Sequence, residues 1–248
     1  MKRALLVQIT LLMFMVTACS GTPTVVTEPA QTAPTPTLDT APLKVIYSAT
    51  LEEGAVSSHT YFVDRFAVEM LPDADEVDAI FDLSSKSWKE MDSGKTVRMS
   101  DCESWVNTSV ERTQTSLTKL EDGFEKRFVE SMLNPNFEIE ARGSTSLVLK
   151  NEFITYKITS SQSLPASTLS RFFAYDRMNG CRKAMLFRQL PPIPQWAVDK
   201  ELEDRGMFPN EMLFTLRTLK GDNETRISVI VEEMTDAEQA LVKSLLNK

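Results

Sequence analysis

The alternation of apolar and polar positions changes period several times along this chain, and each change predicts an element. "LKVIYSATL" (43–51) and "TYFVDRFAVEM" (60–70) repeat every second residue, the strand period, which puts Phe62, Phe66, Val68 and Met70 on one face. "VDAIFDLS" (77–84) continues as strand, and "KSWKEMDSGKTVRMS" (86–100) reads as a hairpin around Ser93-Gly94. At Ser100 the period becomes helical. Ser100-Asp101-Cys102-Glu103 has capping-box spacing, and a helix is expected to run to Leu133, where Asn134-Pro135 stops it. Leu117, Leu120, Phe124, Phe128 and Met132 are spaced 3, 4, 4 and 4, an apolar stripe along one side. The first half, "VNTSVERTQTS", is polar and β-branched, weak enough to allow a break into two pieces.

Strand patterning returns at 137–142, 144–150 and 152–159, the last two turning at Asn151. "STLSRFFAYDRMNG" (167–180) fits helix or strand; helix is preferred, ending at Asn179-Gly180, and "KAMLFRQL" (183–190) is expected as strand. "PPIPQWAVDKELEDRG" (191–206) opens a helix with proline and stops it at Gly206, with Glu201 and Arg205 an i,i+4 pair. A hairpin turning at Gly221-Asp222-Asn223 follows. A last helix is capped by Thr235 and Glu238 and expected to bury Leu241 and Leu245. The mixture is α+β: a long amphipathic helix and two or three shorter ones against antiparallel strands.

Before residue 43 the pattern is of another kind. Met1-Lys2-Arg3 is followed by a mainly apolar run, 4–16, then Val16-Thr17-Ala18-Cys19. Thirteen residues of helix cover about 20 Å, short of the ~30 Å hydrocarbon core, so the segment 1–18 reads as a cleaved signal peptide. Its end resembles the bacterial lipobox, in which small residues admit the peptidase and the cysteine sulfur takes a diacylglyceryl group. Residues 19–42 then comprise a lipidated Cys19 and "SGTPTVVTEPAQTAPTPTLDTAP", a threonine- and proline-rich tether without aromatic residues. Two or more acyl chains hold a protein stably on a membrane. The implied address is the cell membrane or outer membrane, facing the periplasm or exterior. Residues 43–248 make one domain.

In an export compartment the two remaining cysteines, Cys102 and Cys181, are either bridged or buried thiols, and the bridge is preferred. The net charge of −8 becomes −10 without Lys2 and Arg3, which argues against nucleic acid as a partner. His59, the sole histidine, falls in a polar stretch expected to be an exposed turn. No GxSxG, GxGxxG or GxxxxGK occurs. "PDADEVD" (72–78) is rich in acid but lacks the glycine and closing glutamate of a calcium loop. The sequons at Asn107 and Asn223 mean little if the lipobox-like end marks a bacterial source. No catalytic residue, metal site or cofactor is expected, although a site built from carboxylates alone stays open.

The segments "AIFDLSSKSWKEMDSGKTVRMS" (79–100) and "GMFPNEMLFTLRTLKGDNETRISVIVEEMTDAEQALVKSLL" (206–246), with the element order between them, resemble the Lol-type lipoprotein carriers and receptors. The resemblance implies a half-open barrel, a curved antiparallel sheet wrapping helices, with room for acyl chains between. The chain departs from that family in its longer polar helix and in Cys102 and Cys181; its anchor is like that of the receptor member. The stripe Leu117, Leu120, Phe124, Phe128 and Met132, with Met185 and Met212, either lines such a cavity or fills a core. The expected function is a non-catalytic envelope lipoprotein, held to the membrane through Cys19, that binds an apolar ligand or an envelope protein. A structural or interaction lipoprotein with a filled core, and a carboxylate-only hydrolase, are the alternatives.

Overall fold

Two antiparallel meanders meet at the first and last strands of the chain. The computed structural model describes residues 42–51, 54–71 and 76–247. The signal segment, Cys19 and the tether to residue 41 lie outside the described residues, as do Glu52, Glu53, Asp73 and Asp75. The first meander is β1 (Leu43–Leu51), β2 (Gly54–Val63), β3 (Phe66–Leu71), β4 (Glu76–Asp82), β5 (Ser87–Glu90) and β6 (Thr96–Arg98). Two helices follow, α1 (Met99–Leu117) and α2 (Phe124–Leu133). Then come β7 (Glu138–Arg142), β8 (Ser146–Lys150), β9 (Ile154–Thr159), α3 (Ala166–Leu186), α4 (Ile193–Asp204), β10 (Glu211–Thr218), β11 (Gly221–Glu233) and α5 (Asp236–Leu246). The result is one open, curved eleven-stranded sheet in the order β6-β5-β4-β3-β2-β1-β11-β10-β9-β8-β7. β1 joins the halves, with Leu43 opposite Phe62 on one side and Glu233 on the other.

The 60–70 segment is two strands, which corrects the single face assigned to its apolar residues. Asp64, at φ +50°, and Arg65 make a turn, so Phe62 pairs with Ala67 and Val63 with Phe66. Aspartate tolerates the left-handed region better than most residues, and here it reverses the chain. Phe62 therefore faces one side of the sheet and Phe66, Val68 and Met70 the other. The second side carries a small cluster, Val63, Val68, Met70, Met234 and Val242, covered by α5. Thr235 caps α5 as expected: its hydroxyl accepts from Glu238 N–H (3.2 Å), and Glu238 accepts from Thr235 N–H (2.8 Å). Val242 is the buried residue of this helix, whereas Leu241 is exposed and Leu245 only flanks the cluster. The histidine expectation also changes: His59 lies within β2, paired with Ile46 and Met70 and half-buried beside Tyr61.

Two helices and one hairpin differ from the pattern. The first is the long helix, which divides at 118–123, where Gly123 is extended and the side chains are largely exposed. Its start lies two residues early: Arg98 N–H donates to Asp101 Oδ2 (3.1 Å), so the cap is formed by Asp101 and not by Ser100. The second is α3, which runs through Asn179-Gly180, and Lys183 to Leu186 form its last turn instead of a strand. Burial overrides the local stop signal, because Asn179 is hydrogen-bonded inside and Gly180 lets α4 approach. A Cβ on Gly180 would sit 2.6 Å from Gln195 Oε1. The third is the last hairpin, which turns at Leu219-Lys220, with Thr218 opposite Gly221.

On the first side of β2 to β6 the core is closed around α3: Phe62, Ala67, Ala79, Phe81, Trp88, Phe173 and Cys181 are among its buried members. Cys102 of α1 and Cys181 of α3 lie at disulfide distance, Cα to Cα 6.3 Å, and both are fully buried. Arg182, 4% exposed, enters the same core and is met by three strands. Its Nη1 contacts Glu69 of β3 (3.0 Å), its Nη2 Asp78 of β4 (2.8 Å), and its Nε both oxygens of Glu90 of β5 (3.0 Å each). Trp88 Nε1 also donates to Glu90 (2.9 Å). The Asn179 amide donates to Glu69 (3.2 Å) and accepts from Tyr175 Oη (2.9 Å), while Thr60 bonds the same phenol (2.9 Å). Burial works against the Arg182 charge, but the hydrogen bonds of Glu90 and the charges of Glu69 and Asp78 outweigh it and raise its pKa.

Removing one partner of such a buried set leaves unpaired charge inside. Arg182→Met should lower unfolding free energy by about 3–5 kcal/mol, read by urea denaturation. Adding Glu69→Gln and Glu90→Gln to that variant should recover part of the loss.

Candidate functional site

The closed packing around α3 does not extend across the whole sheet. Opposite α3 and α4, the strands β1, β11, β10 and β9 present Val45, Tyr47 and Ala49, then Val231, Val229 and Ile227, then Met212 and Phe214, then Tyr156 and Ile158, in register. Several of these, Tyr47, Ile227, Val231, Met212, Phe214 and Tyr156, are only half-buried, although most of them pack on the main core. Phe137, Tyr156 and Phe214 form an aromatic row, with ring centroids 5.9 and 5.0 Å apart. This face of the sheet is apolar throughout and continuous with the main core.

The expected stripe is divided between settings. Leu117 is buried at the end of α1, whereas Leu120 lies between the helices and is 46% exposed. Phe124, Phe128 and Met132 are half-buried on α2. Phe124 and Phe128 stack at 6.1 Å and meet Phe153 edge-on at 5.2 and 5.5 Å. Met185 and Met212 both lean on the main core, the former from α3 and the latter from β10. A groove of about 710 Å³ runs beside Leu117 and Leu133, but Gln114, Lys126, Glu130 and Asn136 give it a polar lining. On the other side of the sheet, Phe66, Val77, Ile80 and Met91 with Leu245 and Leu246 line a groove of about 390 Å³.

Against this face, where α3 meets α4, lies a hydrogen-bonded pair of acids that the sequence pattern did not single out, Asp176 of α3 and Asp199 of α4. Asp199 is 4% exposed. Gln195 Nε2 donates to Asp176 Oδ2 (3.0 Å). Burial raises the Asp199 pKa well above the ordinary carboxylate value, and the neighbouring Asp176 adds to this. Asp176 is raised as well, by burial first, against the hydrogen bond from Gln195 and the charge of Lys183. The phenols of Tyr47 and Tyr156 are likewise held above their usual range by burial first, then by the charges of Asp176 and Asp199 at Tyr47 and of Asp199 at Tyr156. Arg177 is engaged with Glu203 (2.8 Å). The signal for Asp199 was its place beside Val198 and Leu202 on the buried face of α4, where an acid is out of pattern. Its pairing with Asp176, across a chain reversal, leaves no local trace.

Among the described residues no cluster of three or more metal-ligating side chains occurs, and no helix is long and apolar enough to cross a membrane. Compared with protein-family models, curated proteins and solved structures, the chain matches none.

A carboxyl that binds its proton more tightly when folded stabilises the fold fully below its ordinary pKa of 3.8. That contribution is lost as pH rises through the folded value. Denaturation of the wild type at about pH 5 and pH 8 should therefore show stability falling with pH. The fall should be smaller in Asp199→Asn; parallel profiles for the two proteins would contradict the displaced acidity.

Proposed function

We propose that this chain is a membrane-anchored envelope lipoprotein that holds an apolar, lipid-like ligand against the inner face of its sheet and performs no catalysis. The observation that carries the reading is an asymmetry. Ala67, Ala79, Phe81 and Trp88 on β3 to β5 are buried nearly completely, whereas Tyr47, Tyr156, Met212, Phe214, Ile227 and Val231 on β1 and β9 to β11 are half-buried among the buried Val45, Ala49, Ile154, Ile158 and Val229. A protein that needed only a core would gain about 25 cal/mol for each further Å² of apolar surface it closed. Leaving apolar side chains open on the concave side is the arrangement of a receptacle.

Three sequence features support the same reading. The lipobox-like Val16-Thr17-Ala18-Cys19 gives an anchor, the tether gives reach from the surface, and the order of elements resembles the half-open barrel of the Lol-type carriers and receptors. In that reading α2, with Phe124, Phe128 and Met132 leaning on Phe153, flanks the receptacle. The closed packing of Phe62, Phe81, Trp88 and Phe173 around α3 favours the second reading, an interaction lipoprotein with a filled core.

Organic extraction of the purified chain followed by mass spectrometry should recover co-purified lipid, and an apolar fluorescent dye should bind with saturation. Absence of both overturns ligand binding in favour of the filled core. Radiolabelled palmitate should enter the wild type and not Cys19→Ser, which should also lose membrane retention.

A further inference from the structure

The sheet is open, and its two free edges are finished differently. At one end β6 is three residues long, buries Val97 and runs directly into α1. So short an edge offers little backbone for another strand to pair with. At the other end β7 is five residues long and exposed at every one of them. It pairs only with β8, in unbroken register, and contains no proline. Among the described residues no other backbone hydrogen bond reaches it. Ile139, 43% exposed, lies on the same side of the sheet as the buried Leu149 that it faces.

The side chains of β7, Glu138-Ile139-Glu140-Ala141-Arg142, complement themselves when the strand is reversed. Place two copies antiparallel about a two-fold axis at Glu140, and all five residues find a partner. Glu138 of each copy then stands opposite the partner's Arg142, and Ile139 opposite the partner's Ala141. Lys150 already meets Glu138 within the chain (3.4 Å), so cations flank that carboxylate on both sides. Glu140 alone faces its own kind, and Arg142 of the same strand offsets its charge (2.9 Å).

We propose that a second copy of this chain pairs with β7, antiparallel and two-fold at Glu140, so that two sheets become one. Main-chain hydrogen bonds hold the pair together, and the two Glu138–Arg142 contacts set its register. A five-residue edge is a small contact, so the dimer is weak and depends on concentration. The pairing draws on neither the ligand nor the lipid anchor.

The full chain carrying Glu140→Cys, mildly oxidised, should run as a dimer on a non-reducing gel. Residues directly opposite in an antiparallel pair have Cα atoms about 4.5–5.5 Å apart, within disulfide reach. Glu138→Cys should stay monomeric, like the wild type, because its sulfurs would lie about 14 Å apart along the paired strands. Adding Arg142→Glu to Glu140→Cys sets like charges opposite each other at both ends and should slow cross-linking about tenfold. All three positions are exposed, so these substitutions leave the core untouched. No dimer from Glu140→Cys overturns the proposal, as does cross-linking that Glu138→Cys matches or that Arg142→Glu leaves unchanged.

Discussion

A guanidinium buried among three carboxylates sets the geometry of this molecule. Arg182 can enter the core only where Glu69, Asp78 and Glu90 meet it, on three adjacent strands, and any other rotation or depth of α3 would strand a charge. Residues 175, 179 and 182 lie on one side of the helix, so Tyr175, Asn179 and Arg182 read the sheet together. With that side committed, Cys181 meets Cys102 of α1, and Asp176 and Gly180 meet α4. The ion cluster is thus less a source of stability than a choice among the many ways a hydrophobic helix can lie on a hydrophobic sheet.

The two halves of the sheet use α3 differently. Beneath β2 to β5 its aromatic and aliphatic side chains are buried in one cluster with Phe62, Phe81 and Trp88. Toward β9, β10 and β11 the same core continues through Ile158 and Val229, with half-buried Tyr47, Tyr156 and Met212 packed against it. α5 covers part of the opposite side of the same sheet, so the strands there are buried on both faces.

Local chemistry announced many of the elements. The strands of both meanders, the Asn151 turn, the Thr235 cap and the proline-led α4 with its Gly206 stop follow from alternation and turn residues, because those preferences act within a few positions. The errors have a common cause. Asn179-Gly180 reads as a helix end until a second helix is brought against it, and "KAMLFRQL" reads as a strand until Ala184 is seen facing the core in the last turn of α3. Phe62 and Phe66 share a face only if no turn intervenes, and Asp64 alone gives little warning of one.

By itself the sequence determined the α+β class, the acidic charge, the pair of cysteines and the lipobox-like start, since each is written in composition or short-range order. Tertiary structure decided which distant groups meet. Asp176 and Asp199 are 23 positions apart on different helices, and Tyr47 and Tyr156 come from β1 and β9, far apart in the chain and separated in the sheet by β11 and β10. Only the docking of α3 by Arg182 brings those four toward one place, because proximity across a folded core depends on how the elements pack and not on the spacing of residues along them.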